Sequence, residues 1–201
     1  MQIHTFNVGM LSTNCYVVNC EKTKEAIIID PGLDAPSEAT QIFRYVKEER
    51  LKVKFIVNTH GHPDHVSGDS LLKKEYRVPI CIHLYDSHCL RGLDATPQPA
   101  NILLEDGVLL EFGKATLRVM HTPGHTPGSI SLLGEGAVFT GDTLFAGSIG
   151  RTDFPGGSDY EMHASLKKLL TLPEHYVVYP GHGPTSTIGD EKRFNPFLQG
   201  L

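Results

Sequence analysis

The sequence predicts an α/β protein built as one domain over residues 1–201. Short apolar or β-branched runs alternate with loops punctuated by Gly and Pro along the whole chain. Several stretches carry apolar residues at helical spacing, and no linker or tandem repeat divides the sequence. The length suits one substantial core, and 40% hydrophobic with 20% charged residues is ordinary for a globular protein.

In chain order, residues 2–8, 15–20 and 26–30 read as strands, the third ending at Asp30-Pro31-Gly32. Ser37 stands where it could cap a helix reaching residue 50, with Ala39, Ile42, Phe43 and Val46 on one face. Residues 55–58 form a strand, 67–76 a helix whose start Gly68 weakens, and 79–83 another strand. A Pro-rich connection at 96–100 precedes four strands between residues 108 and 141, where many glycines suit tight turns. A helix over 158–170 carries Met162, Leu166, Leu169 and Leu170; the last strand is 176–179, and a short helix lies around 190–198.

The formal net charge of -5, with no Lys/Arg-rich tract, argues against a nucleic-acid partner. No apolar run approaches the roughly 20 residues that span a bilayer, and the N-terminus lacks a signal-peptide pattern. A cytoplasmic protein with no membrane partner is the expectation. The four cysteines, Cys15, Cys20, Cys81 and Cys89, form no Cys-x-x-Cys pair; Cys15 and Cys81 lie in strands and read as buried thiols.

Chemistry concentrates in Thr-His-Gly-His-Pro-Asp-His at 59–65. Three imidazoles and a carboxylate crowd one turn, and such groups suit zinc, iron and manganese. Gly61 and Pro63 exclude a helix or strand interior there. Three later segments repeat the pattern of strand, then loop, then ligand: His125 in Thr-Pro-Gly-His-Thr-Pro-Gly, Asp142 in Thr-Gly-Asp-Thr-Leu-Phe, and His182 in Tyr-Pro-Gly-His-Gly. Ligands placed after strand ends can converge on one sheet edge. His60, His62, Asp64, His65, His125, Asp142 and His182 suffice for two metal ions. His121 either supports His125 or is an ordinary strand-end histidine.

These four motifs, in this order, resemble the metallo-β-lactamase-fold superfamily, and within it the short, single-domain glyoxalase II-like (hydroxyacylglutathione hydrolase) family. The resemblance implies an αβ/βα four-layer sandwich, two mixed β-sheets packed face to face with helices on the outside. It implies two divalent metal ions, zinc first, with iron or manganese as alternatives. His60, His62 and His125 would form one site, Asp64, His65 and His182 the other, and Asp142 would bridge them. The implied activity is hydrolysis of small acyl-thiol substrates such as S-D-lactoylglutathione through a metal-bridging hydroxide, which Asp64 could also orient.

In such enzymes a basic residue of the loop after the bridging carboxylate meets a substrate carboxylate, and Arg151 occupies that position. An ion pair from Arg151 to Asp153 or Asp159 is the alternative. The chain ends soon after His182, without the helical region that forms much of the glutathione pocket in full-length glyoxalase II. Gly-Arg-Thr-Asp-Phe at 150–154 also resembles persulfide dioxygenases, whose single iron would take His60, His125 and Asp142. A β-lactam-cleaving role ranks lower, because the second set uses Asp64, His65 and His182 rather than a cysteine. The oligomeric state is left open.

Overall fold

Two six-stranded sheets stack face to face, with helices covering each outer side. The computed structural model describes residues 1–201. Its first sheet runs in chain order: β1 (Gln2–Val8), β2 (Thr13–Asn19), β3 (Glu25–Ile29), β4 (Lys52–Val57), β5 (Ile80–His83) and β6 (Ile102–Leu104). β1 to β3 are antiparallel and β3 to β6 parallel. The crossovers after β3 and β4 hold α1 (Ala39–Glu48) and the pair α2 (Pro63–Val66) and α3 (Asp69–Tyr76).

The second half supplies β7 (Leu109–Phe112), β8 (Ala115–His121), β9 (Ile130–Gly134) and β10 (Ala137–Gly141). A small hairpin follows, β11 (Leu144–Phe145) and β12 (Ser148–Ile149), then α4 (Asp159–Leu170), β13 (Val177–Pro180), β14 (Ser186–Thr187) and α5 (Ile188–Phe194). The second sheet has the order β14-β13-β10-β9-β8-β7, and its one parallel pair is β10 with β13.

The apolar runs explain the layers. β3 is Glu-Ala-Ile-Ile-Ile, apolar on both faces because each face is covered. Ile28 joins Ile56 and Ile82 under Ile42 and Val46 of α1 and Leu72 of α3. Ile27 and Ile29 face the other way and pack with Val57 against Leu117, Ile130, Leu132 and Phe139 of the second sheet. Beyond that sheet, Val138 and Val178 meet Met162, Leu166 and Leu169 of α4 and Ile188 of α5. The four-layer sandwich expected from the motifs is the observed fold. Cys15 and Cys81 are buried as expected, and burial pushes the Cys81 thiol up to about 12.

Several boundaries differ from expectation, each for a local reason. Ser37 does not cap α1: Pro36 starts a 3-10 turn, Pro36–Glu38, and the N–H of Ala39 bonds back to Pro36 and Ser37. Ser158 does cap α4, its Oγ accepting from the N–H of Glu161 at 3.3 Å. α5 begins at Ile188, capped by Thr187, and stops before Asn195-Pro196. The Pro-rich connection leads into the short strand β6, and a 3-10 turn, Leu84–Cys89, follows β5. Neither has a pattern long enough to read in the sequence.

The carboxyl ends of β3, β4 and β5 in one sheet and of β8, β10 and β13 in the other open onto one edge of the sandwich. Two bonds lock the sheets together there: the N–H of Asn14 to the carbonyl of Gly181 at 2.7 Å, and the N–H of Ile130 to that of Thr59 at 2.8 Å. No helix is long and apolar enough to cross a membrane.

Candidate metal centre

All seven sequence-predicted ligands meet at this edge. His60 and His62 leave the end of β4, and Asp64 and His65 follow on α2. The cluster is therefore half loop and half helix: Pro63 takes the first helical position, where its missing N–H costs nothing. His125 comes from the loop after β8, Asp142 directly follows β10, and His182 follows β13. Three trios hold one ligand atom each within 4.8 Å of the others: His60, His62 and His125; His60, His65 and Asp142; Asp64, His65 and His182.

Hydrogen bonds behind the rings decide which nitrogens face inward. His125 Nδ1 donates to the Arg151 carbonyl at 2.8 Å and His182 Nδ1 to the Leu11 carbonyl at 3.0 Å. A carbonyl only accepts, so Nδ1 carries the hydrogen and, in the neutral ring, Nε2 is left as a lone pair. His65 Nδ1 donates to Asp30 Oδ2 at 3.0 Å. Thr59 Oγ1 donates to the same Asp30 oxygen at 2.6 Å, so at 3.2 Å from His60 Nδ1 it accepts from that ring. Four histidines thus turn Nε2 to the centre, and His62 turns Nδ1 there.

Asp30 was not singled out by sequence. One buried carboxylate fixes His65 directly and His60 through Thr59, and it also accepts the Thr59 N–H at 2.7 Å. Such carboxylate–histidine pairs set ring orientation and strengthen a ligand. The available signal was Asp-Pro-Gly directly after the apolar run Ala-Ile-Ile-Ile. Asp30 also takes a left-handed φ of 50°, which for a non-glycine residue points to a fixed local role.

The inward atoms lie too close for neutral rings to satisfy one another. His62 Nδ1 is 3.1 Å from His60 Nε2 and 2.8 Å from His125 Nε2, and His65 Nε2 is 3.3 Å from His182 Nε2. One hydrogen on His62 could serve only one of its two neighbours. Asp142 Oδ1 is buried without a hydrogen-bond partner. A Cβ on Gly181 would run into that same oxygen, so glycine lets the His182 loop approach the carboxylate. Converging lone pairs and an unpaired buried carboxylate oxygen fit divalent cations.

The electrostatics agree. Burial, then the neighbouring imidazoles, holds His60 well below the usual histidine range, and burial followed by His125 lowers His62. Both rings are therefore neutral and able to ligate. His65 behaves oppositely: burial opposes its charge, but Asp142 and Asp30 outweigh that and raise it to about 9. A proton there balances surplus carboxylate charge, as a cation would. Burial likewise opposes charge on Asp64, yet His182 and His65 keep its carboxyl below the usual range.

The centre floors a cleft of about 400 Å³ walled by Leu11, Phe145, Phe154 and Arg151. No serine or cysteine lines it. Arg151 makes the ion pair named as the alternative: Nε and Nη2 each lie 2.7 Å from an oxygen of Asp153, and the guanidinium covers the Phe154 ring at 3.8 Å. His121 touches no ligand; its Nε2 donates to the Pro127 carbonyl at 2.9 Å and its ring stacks on His83 at 4.2 Å.

Known proteins share this architecture. The probable metallo-hydrolase YqgX of Bacillus subtilis is 37% identical over 208 residues, covering 96% of each chain. Hydroxyacylglutathione hydrolase GloC of Haemophilus influenzae is 36% identical over 214 residues, covering 98% of each. Among solved structures, BLEG-1 B3 metallo-beta-lactamase superposes with a TM-score of 0.90 at 38% identity, over 99% of this chain and 100% of its own. ETHE1 from Myxococcus xanthus gives 0.88 at 31%, over 100% and 85%. TTHA1623 in a di-iron-bound form gives 0.84 at 35%, over 97% and 100%. Residues 8–182 match the metallo-beta-lactamase superfamily, from the end of β1 to the last histidine of the cluster, and the chain belongs to that superfamily.

Proposed function

We propose that this protein is a metal-dependent hydrolase of S-acyl thioesters, S-D-lactoylglutathione among them. The observation that carries the reading is the convergence of all seven ligands in a cleft lined by neither serine nor cysteine. With no serine or cysteine nucleophile at hand, and the carboxylates and imidazoles assigned to metal binding, water is the attacking group in this reading. The likeness to GloC, named a hydroxyacylglutathione hydrolase, supports the substrate class.

His60, His62 and His125 would hold one cation, Asp64, His65 and His182 the other, with Asp142 between them. Bound there, divalent cations would supply Lewis acidity, polarising a carbonyl and lowering the pKa of water towards about 7. Zinc is the leading metal for this ligand set; the likeness to a di-iron protein supports iron as the alternative. Asp64 stays ionised at working pH, so it suits orienting water through a hydrogen bond better than taking its proton. Leu11, Phe145 and Phe154 offer apolar wall to the acyl and thiol chains.

Arg151 would hold a substrate carboxylate. Asp153 engages Nε and Nη2, which leaves Nη1 for a ligand. Arg151→Ala should raise KM for an anionic acyl thiol with little change in kcat, and Asp153→Asn should lower it. An unchanged KM in both variants removes the assignment.

The direct test loads purified protein with zinc and measures thiol release from a panel of acyl thiols. Release from S-D-lactoylglutathione supports the reading; no release from any acyl thiol, with metal bound, refutes it. The likeness to BLEG-1 adds a β-lactam to the panel.

A second reading is sulfur oxidation at a single iron, favoured by the intact Gly-Arg-Thr-Asp-Phe loop at 150–154. Its ligands, His60, His125 and Asp142, draw on two of the compact trios. One iron per chain with oxygen uptake on a persulfide substrate would support it; two metals with thiol release favour hydrolysis.

A further inference from the structure

Asp86 lies in the 3-10 turn that follows β5, outside the ligand set, with its side chain buried. Its Oδ2 accepts the N–H of Gly61 at 2.9 Å and the hydroxyl of Thr126 at 2.7 Å, and its Oδ1 accepts the N–H of Gly128 at 2.8 Å. Gly61 stands between His60 and His62, and Thr126 directly follows His125. One carboxylate therefore ties together two loops from different sheets, and these loops carry the three histidines of the first trio.

The surroundings are shaped to this side chain. A Cβ on Gly128 would lie 2.5 Å from Asp86 Cγ, and one on Gly61 would lie 2.6 Å from Cys89 Cβ of the same turn and 3.2 Å from Asp86 Cβ. The His125 loop reaches the carboxylate only because Gly128 is bare, and the His60–His62 loop packs closely on the same turn at Gly61. A buried carboxylate is costly without compensation, and neutral donors supply its three hydrogen bonds. The first trio holds three histidines and no acid, whereas the trio of Asp64, His65 and His182 includes a carboxylate.

We propose that Asp86 is a positioning residue for the first cation site. It sets the spacing between the His60–His62 loop and the His125 loop, and it places a carboxylate beside a trio that has no acid of its own. The second site, built from Asp64, His65 and His182, makes no bond to Asp86; it leans on the Leu11 carbonyl and on Asp30, which also reaches His60 through Thr59. The proposal rests on the ligand assignment above.

The test separates the two sites and reads metal binding, not turnover. His182→Ala keeps the first trio whole, and His62→Ala keeps the second. Each is combined with Asp86→Asn, which preserves size but removes the charge and turns one acceptor into a donor. Cobalt(II) affinity of metal-free protein is then followed by the d–d absorption bands. In the His182→Ala background, Asp86→Asn should weaken cobalt binding by about 10–100-fold, the range for loss of a residue that orients ligands. In the His62→Ala background it should leave the affinity unchanged.

Equal weakening in both backgrounds, or none in the first, overturns the proposal. Thr126→Val removes one of the three bonds without altering charge and should show the same site selectivity to a smaller degree, which keeps the test decisive where Asp86→Asn does not fold. If neither parent background binds cobalt, the ligand assignment falls and the role of Asp86 with it.

Discussion

His65 illustrates how single residues account for the centre. Asp142 and Asp30 overcome burial and raise it to about 9, so the metal-free protein carries a proton there at pH 7. A cation taking Nε2 must displace that proton, so binding should release it and affinity should rise as pH climbs from 6 to 9. Calorimetry in buffers of different ionisation enthalpy reads the number directly; zero protons released at pH 7 would contradict the assignment. Asp30→Ala removes the partner of His65 Nδ1 and should weaken the second cation by about 10–100-fold in chelator competition. The candidate ligands were legible because three histidines and an aspartate within six positions have few structural explanations. Asp30 and Asp86 were not, because an isolated Asp beside a turn looks the same whether it shapes the turn or holds a ligand loop.

At the scale of elements, β10 links the core to the chemistry. Phe139 is fully buried between Tyr16 and Tyr179, with ring centroids 5.2 and 5.1 Å away, and Asp142 stands directly after the strand. Phe139→Ala should destabilise the protein by about 3–5 kcal/mol in urea unfolding, because the two tyrosines cannot fill the cavity. A loss below about 1 kcal/mol would mean that the sheets repack freely. Ser158→Ala at the start of α4 should cost about 0.5–2 kcal/mol, as for other caps. Strands such as β3 were readable from their apolar runs. The two- and three-residue strands β6, β11, β12 and β14 exist only through their partners and leave no periodicity of their own. Ser37 misled because it has the chemistry of a cap, while the preceding Pro36 had already begun a 3-10 turn.

For the whole molecule, four strand ends from two sheets, those of β4, β8, β10 and β13, must reach one edge for the candidate ligands to meet. Local pattern supplies the strands and the loops after them. The pairing of the sheets is a long-range property, legible only through the order of the four motifs and their resemblance to known proteins. The folded chain brings together residues as distant as Thr13 and His182, which form an isolated bridge between the sheets. On the proposed ligand assignment this edge holds two separable cation sites, and elemental analysis of zinc-loaded protein, freed of excess metal, reads their number. Two zinc ions per chain are expected, falling to one in His62→Ala and to one in His182→Ala. No stably bound zinc in the parent, or two ions retained in both variants, would contradict the assignment.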